Sequence, residues 1–143
     1  MITIRLFISL TILFGFLMLG SCSAKKNQGP TLSQIDSKTA TKFIKEDDYL
    51  FLDVRTIKEH KEKAIPNTPN IPVQELENRI DELEIYRDKK IVVYCRSGNR
   101  SKLGTDILNK NGYDAVNLIG GMIQWDGPII SEINIISASE PEL

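Results

Sequence analysis

Residues 90–101 read Lys90-Ile91-Val92-Val93-Tyr94-Cys95-Arg96-Ser97-Gly98-Asn99-Arg100-Ser101, and this stretch decides the fold. The apolar, β-branched run at residues 90–94 predicts a buried strand. Residues 102–108 carry apolar side chains at helical spacing and predict a helix. The polar loop between them therefore places Cys95 at the end of a strand and in front of a helix amino terminus.

This setting favours a reactive cysteine. Backbone N–H groups of a strand-to-helix loop point inward and attract an anion, and Arg96 and Arg100 add positive charge. Both effects lower the pKa of the Cys95 thiol and populate the thiolate, which is the nucleophile. The alternative is a core cysteine in an ordinary turn. Two arginines, a glycine and an asparagine within five residues of Cys95 favour the anion-binding loop.

The rest of the chain alternates strand and helix signals. Further strands are predicted at residues 49–54 and 115–118. Four further helices are predicted. The first is N-capped by Ser33 and runs to about residue 45, and the second is a short helix at 56–63. The third starts at residue 72 or 73, with Leu76, Ile80 and Leu83 on its apolar face, and the fourth is one turn at 122–125. This order predicts an α/β domain, with a parallel sheet covered by helices on both faces. Ligands of such sheets bind beyond the carboxyl ends of the strands, where Cys95 falls.

The amino terminus has the pattern of an export signal. Residues 6–19 form an apolar run that is short for a membrane span, and Met18-Leu19-Gly20-Ser21-Cys22 follows it. This segment resembles the lipobox of bacterial lipoproteins, which implies a signal peptide at residues 1–21, lipidation of Cys22 and a tether at residues 22–31. An uncleaved membrane anchor is the alternative. Either one places the domain outside the cytoplasmic membrane, on the periplasmic or cell-surface side.

Composition limits the classes of partner. Eighteen Lys and Arg stand against 19 Asp and Glu, so the formal net charge is −1 and no nucleic-acid surface is expected. The chain has one histidine and two distant cysteines, and this set does not match the spacing of a metal site. If Cys22 carries lipid, Cys95 has no disulfide partner in the chain, which supports a working thiol. We expect a monomer without a cofactor or metal.

Several motifs together resemble a single-domain rhodanese, a thiosulfate-type sulfurtransferase, over residues 32–128. The matching stretches are Leu52-Asp53-Val54-Arg55, Ile65-Pro66 with Asn70-Ile71-Pro72, residues 91–101, Gly112-Tyr113, and Gly120-Gly121 with Trp125. The resemblance implies a small three-layer domain with a central parallel sheet. The chain departs from the family pattern at residues 63–68, at His60, and in the short segment after Trp125.

The resemblance also implies a double displacement. The Cys95 thiolate would attack the outer sulfur of a small anionic donor such as thiosulfate, sulfite would leave, and Cys95 would carry the sulfur as a persulfide. A thiol, a protein sulfur or cyanide would then accept it. The residues implied to bind the anion are those of the loop: Arg96, Ser97, Gly98, Asn99, Arg100 and Ser101.

Three alternatives remain open at this point. The first is a phosphatase or arsenate reductase of the same fold, although related phosphatases have five residues between Cys and Arg, and this chain has four. The second is a non-enzymatic binding module. The third is a persulfide relay with a partner protein.

Other conspicuous residues are expected to be structural. Asp53 and Arg55 are expected to pair with each other, because a buried charge needs a partner. His60 is expected to lie away from Cys95. Residues 129–143 are either an edge strand, given the alternation around Ile133 and Ile135, or a disordered tail.

Overall fold

The computed structural model describes residues 33–131. Within them, four parallel strands form one sheet in the order β1-β4-β3-β2. The strands are β1 (Gln34–Ile35), β2 (Tyr49–Asp53), β3 (Lys90–Tyr94) and β4 (Asp114–Leu118). β3 is central and pairs with β2 and β4, so its carboxyl end, which leads into Cys95, lies between the ends of two neighbouring strands.

The helices connect these strands. They are α1 (Ser37–Ala40), which continues into a 3-10 turn at Thr41–Phe43, then α2 (Ile57–Glu62), α3 (Asn99–Lys110) and α4 (Gly121–Gln124), with a 3-10 segment at Ile80–Tyr86. A capping box starts α2, because the Thr56 hydroxyl accepts from the Glu59 N–H and the Glu59 carboxylate accepts from the Thr56 N–H.

The strands bury both of their faces. Their side chains alternate, so Leu52 and Val93 pack on one face while Phe51 and Val92 pack on the other. The first face is covered by α3, the 3-10 segment and the loop before it, through Leu108, Leu83 and Leu76. The second is covered by α1, α4 and the residue after α4, through Ala40, Met122 and Trp125. These contacts confirm the α/β prediction of a central parallel sheet with helices on both faces.

Helix α3 lies close to the sheet because of Gly104. A Cβ at this position would come within 3.2 Å of a Val93 methyl group and 3.4 Å of a Val54 methyl group. This close approach holds the amino end of α3 against the end of β3, where the cysteine loop begins.

The start of the domain differs from the prediction. Ser33 does not cap a helix; Asp36 does, and its carboxylate accepts from the Thr39 N–H at 2.7 Å. The residues before Asp36 form β1, where Ser33 and Ile35 accept from backbone N–H groups of β4 and the residue after it. The edge of β4 supplies hydrogen-bond donors to the carbonyls of Ser33 and Ile35. This strand pairing outweighs the tendency of Ser33 to cap a helix.

The helix predicted to start at residue 72 or 73 was also wrong. Turns occupy this region up to the 3-10 segment, whose tighter coil uses bonds between residues three apart, such as Glu82 N–H to Arg79 C=O at 3.1 Å. The Val73 N–H is bonded to the Val54 carbonyl at 3.1 Å, which ties the segment to the end of β2. Leu76 and Leu83 are nevertheless buried, as their spacing indicated.

The chain ends are described only in part. Ile130 forms an antiparallel bridge with Ala64 through two backbone hydrogen bonds, at 2.8 and 2.9 Å. The alternation around Ile133 and Ile135 lies outside the described residues, as do the predicted signal peptide, tether and lipidation site at Cys22. No helix in residues 33–131 is long and apolar enough to span a bilayer.

A buried ionic cluster fastens the end of β2. Asp53 is fully buried, and its carboxylate accepts from the Arg55 backbone N–H at 2.9 Å and from Arg55 Nε at 3.0 Å. His60 Nδ1 lies 2.9 Å from the same carboxylate, and Arg55 also donates to the Lys63 carbonyl at 2.6 Å. The cluster therefore joins β2 to α2, which agrees with the expectation that these residues are structural.

We expect Asp53→Ala to reduce the free energy of unfolding by about 3–5 kcal/mol, because it leaves the buried Arg55 guanidinium without its counter-charge. Urea denaturation followed by circular dichroism measures this loss. His60→Gln, which removes only the partly exposed member of the cluster, is the control and should lose much less. A loss below about 1 kcal/mol for Asp53→Ala would contradict the structural role of the cluster.

Candidate active site

Cys95 lies directly after β3 and is 1% exposed. Its sulfur accepts a hydrogen bond from the Gly98 backbone N–H at 3.1 Å and one from the Ser101 hydroxyl at 3.4 Å. The loop can turn back on the sulfur because Gly98 adopts φ +100°, a left-handed conformation, and a Cβ there would meet the Gly120 nitrogen at 3.3 Å. The loop therefore forms a cradle of donors around one sulfur atom.

The same contacts determine the ionisation of Cys95. Burial raises the pKa of the thiol, and donation from the Ser101 hydroxyl and from the backbone N–H groups of Ser101, Gly98 and Ser97 lowers it. The donors prevail, so the pKa of Cys95 lies below its usual value. Because Gly98 is the N-cap of α3 and Ser101 lies in the first turn of this helix, the sulfur also benefits from the positive end of the helix dipole.

The Gly120-Gly121 pair supports the loop from behind. The Met122 N–H donates to the Cys95 carbonyl at 2.9 Å, and the Ile123 N–H donates to the Arg96 carbonyl at 3.0 Å. A Cβ on Gly121 would lie 2.2 Å from the Cys95 carbonyl oxygen, and Gly121 has φ +49°. Glycine is therefore required here for α4 to approach the cysteine loop.

Arg100 is held by a residue that the sequence reasoning missed. Its guanidinium donates to both carboxylate oxygens of Glu59, at 2.7 and 2.9 Å. The carboxylate of Glu59 therefore both caps α2 and anchors the cysteine loop. The hydrogen bond from Arg100 lowers the pKa of Glu59 to about 2; partial burial opposes this shift, and donation from Thr56 adds to it. The capping signature Thr56-x-x-Glu59 was visible in the sequence, but its link to Arg100 was not.

The two loop arginines consequently differ. Both were expected to bind an anion; Arg100 forms an ion pair with Glu59 and also interacts with the side chain of Cys95. Arg96 is exposed, so its side chain is available to a ligand at the mouth of the site. Ser97 and Asn99 are also exposed, whereas Gly98 and Ser101 are buried against the sulfur.

Ser101 has a second contact that the sequence did not indicate. Its hydroxyl lies 2.6 Å from Oδ1 of Asn117 in β4, so its single proton can be donated to that oxygen or to the Cys95 sulfur. The structure thus brings together six elements around Cys95: β3, the loop, α3, β4, α4 through its N–H groups and, through Arg100, α2. Among residues 33–131, no group of three or more His, Cys, Asp or Glu side chains could hold a metal ion.

These features define an α/β domain with a cysteine-centred anion loop. Residues 36–127 match the family described as Rhodanese-like domain, and the chain belongs to this family. A curated relative named sulfurtransferase, from Allochromatium vinosum, is 35% identical over 96 residues, which cover 66% of this chain and 88% of the relative. This relative supports sulfur transfer as the general activity.

Solved structures agree on the fold. A rhodanese-related protein from Thermoplasma volcanium is 35% identical, with a TM-score of 0.62 over 68% of this chain and 96% of the other. A protein from Rhodopseudomonas palustris, titled a possible tyrosine phosphatase, is 27% identical, with a TM-score of 0.63 over 69% of this chain and 85% of the other. The same fold therefore carries two suggested chemistries among these neighbours.

We expect Glu59→Gln to weaken the fold by about 1 kcal/mol at neutral pH, because Arg100 loses its partly exposed counter-charge. The folded-state pKa of Glu59, about 2, lies below its reference value of 4.5. The stability that this carboxylate contributes is therefore complete above pH 4.5 and is lost as the pH falls towards 2.

Urea denaturation of both proteins between pH 7 and pH 2.5 measures this difference. The difference in the free energy of unfolding between Glu59→Gln and the original protein should become smaller as the pH falls. Glu77→Gln, which neutralises an exposed glutamate, is the matched control and should show no such narrowing. A gap that does not change with pH would contradict the role of the Glu59–Arg100 pair.

Proposed function

We propose that this protein is a sulfurtransferase in which Cys95 carries the transferred sulfur as a persulfide. The observation that carries the proposal is the buried Cys95 sulfur, which accepts from the Gly98 N–H and the Ser101 hydroxyl at the amino end of α3. This cradle lowers the pKa of the thiol and so increases the fraction of nucleophilic thiolate. Family membership supports the same activity.

The proposed donor is thiosulfate or a similar small anion with a sulfane sulfur. The Cys95 thiolate attacks the outer sulfur of the donor, a new S–S bond forms, and the S–S bond of thiosulfate breaks. Sulfite leaves with the electron pair of the broken bond. The N–H groups that stabilise the thiolate then face the persulfide anion, so both states of the enzyme use one set of donors.

The second step regenerates the enzyme. An acceptor thiolate, a protein sulfur or cyanide attacks the outer sulfur of the persulfide, and Cys95 leaves as a thiolate. The low pKa of Cys95 supports this step because it makes the sulfur a good leaving group. The exposed Arg96 supports attraction of the anionic donor, whereas Arg100 maintains the loop through Glu59.

The proposal includes export and membrane attachment. The lipobox-like segment before Cys22 supports cleavage at residue 21 and lipid attachment to Cys22, which would hold the domain on the periplasmic or cell-surface side. Residues 22–31 are polar and contain glycine and proline, so they suit a tether. In this setting we propose a monomer that works without a cofactor and meets a thiol or protein sulfur as acceptor.

We expect the Cys95 peptide of the full-length chain, purified in detergent, to gain one sulfur atom after incubation with thiosulfate. The mass is read by non-reducing peptide mass spectrometry, and added cyanide should remove the gain and release thiocyanate. Cys95→Ser should abolish the gain, while Cys22→Ser, which keeps the active-site thiol, is the matched control and should retain it.

Other results would change the assignment. Hydrolysis of a phosphate ester or reduction of arsenate, without sulfur gain at Cys95, would favour the phosphatase or reductase alternative. No gain from thiosulfate but a gain from a protein persulfide would keep sulfur transfer and replace the donor. No reaction of a folded, reduced Cys95 with any donor would leave a binding module.

We expect Cys22→Ser to lose its covalent lipid in a bacterial host, because it removes the site of lipid attachment. Incorporation of a labelled fatty acid measures the lipid directly and should occur only in the chain with Cys22. Cys95→Ser is the control and should remain labelled. Labelling that persists in Cys22→Ser would contradict the assignment.

A further inference from the structure

The Ser101 hydroxyl lies between two hydrogen-bond acceptors and has only one proton. It is 2.6 Å from Oδ1 of Asn117 and 3.4 Å from the Cys95 sulfur. Ser101 is fully buried, Asn117 is 6% exposed and Cys95 is 1% exposed. Bulk water therefore has little access to these groups, and the direction of the Ser101 proton depends on its two neighbours.

Asn117 has a fixed backbone and a side chain with two different faces. Its main chain is held in β4, where it pairs with Val93 on one side and Gln34 on the other. Its amide has an oxygen that accepts and a nitrogen that donates, and a half-turn of the side chain exchanges the two. The contact that such a half-turn would change is the one between the Ser101 hydroxyl and the Asn117 amide.

We propose that Asn117 is a positioning residue whose side-chain amide turns over when Cys95 loses its proton, so that the Ser101 hydroxyl then donates to sulfur. In the thiol state, Ser101 donates to the Asn117 oxygen and accepts from the Cys95 S–H. In the thiolate state, the Asn117 nitrogen donates to Ser101 and Ser101 donates to the sulfur. The proton that Cys95 loses goes to water.

The hydrogen-bond count supports this turn. If the Asn117 amide does not turn, the thiolate and the amide oxygen compete for the one Ser101 proton, and one of them lacks a hydrogen bond from Ser101. With the turn, both contacts of Ser101 are satisfied, and the bond to sulfur is charge-assisted and strengthened by the bond from the amide. The inference rests on the proposed function only in taking the Cys95 thiolate as the nucleophile.

The charged groups around Cys95 do not replace this relay. α3 contributes Arg100, which binds Glu59 of α2 and also interacts with the side chain of Cys95, and the loop contributes the exposed Arg96. α4 has no ionisable side chain, and the one in β4, Asp114, lies at the opposite end of the strand in an ion pair with Lys90. Both arginines stay charged in either state of the sulfur. The neutral pair of Ser101 and Asn117 can instead exchange the donor and acceptor of its hydrogen bond.

The first test is the pH dependence of Cys95 alkylation by iodoacetamide, measured on the Cys95 peptide of the full chain in detergent. We expect Ser101→Ala to raise the pKa of Cys95 by about one unit, which is a tenfold loss of thiolate at a pH below the pKa. Asn117→Asp, whose carboxylate only accepts, should also raise it. The increase in the Cys95 pKa caused by Asn117→Asp should be larger in the chain with Ser101 than in the chain with Ser101→Ala, because part of the effect passes through the Ser101 hydroxyl.

The second test observes the amide itself by NMR of the nitrogen-15-labelled chain. The side-chain NH2 resonances of Asn117 should titrate with the pKa of Cys95, and this titration should vanish in Ser101→Ala. Asn109 is the internal control, because its amide nitrogen donates to the Ala115 carbonyl at 3.0 Å and its oxygen accepts from the Ala115 N–H at 2.9 Å. Both of its faces are bound, so its resonances should not follow Cys95.

Two results would overturn the inference: an unchanged Cys95 pKa in Ser101→Ala, or an equal effect of Asn117→Asp with either residue at position 101. Circular dichroism of each variant verifies that it is folded. If a variant does not fold, the Asn117 titration in the original chain decides alone. Neither readout requires sulfur transfer, so a failure of the proposed function would appear separately, as an absent sulfur gain on an alkylatable Cys95.

Discussion

Donation of hydrogen bonds to the buried Cys95 sulfur is the interaction on which the rest of the site depends. A thiolate away from water is unfavourable unless donors replace its hydration. Here the Gly98 N–H and the Ser101 hydroxyl supply them, at 3.1 and 3.4 Å. Each donor has to be aimed at one atom, so the turn at Gly98, the start of α3 and the end of β3 are all constrained by the same requirement.

The elements around the loop meet this requirement by close contact. Gly104 brings α3 within reach of Val93, and Gly121 allows α4 to donate to the carbonyls of Cys95 and Arg96. Glu59 adds a charged contact from α2 by binding Arg100. The loop is thus fastened from three sides and left open on the side of Arg96, Ser97 and Asn99, which are exposed. A rigid donor cradle with one open side suits a small anion and the sulfur that it would leave behind.

The two arginines near Cys95 differ in their surroundings. Two arginines near a cysteine suggest two anion ligands, yet the bidentate pair with Glu59 compensates Arg100 and leaves Arg96 exposed. Arg100 therefore links α2 to the cysteine loop, and its charge also acts on the side chain of Cys95. The N–H groups at the start of α3 add positive potential that does not depend on a side-chain charge.

The sequence by itself determined the α/β class, three of the four strands and the position of Cys95 between β3 and α3. These features arise from local periodicity and from one contiguous motif, so neighbouring residues are enough to reveal them. Tertiary structure decided β1, which needs the edge of β4, and the 3-10 form of Ile80–Tyr86. It also decided the contacts of Arg100 with Glu59 and of Ser101 with Asn117, which join residues 41 and 16 positions apart. Such pairs meet only when strand order and helix packing bring them together, and no local pattern of residues specifies that meeting.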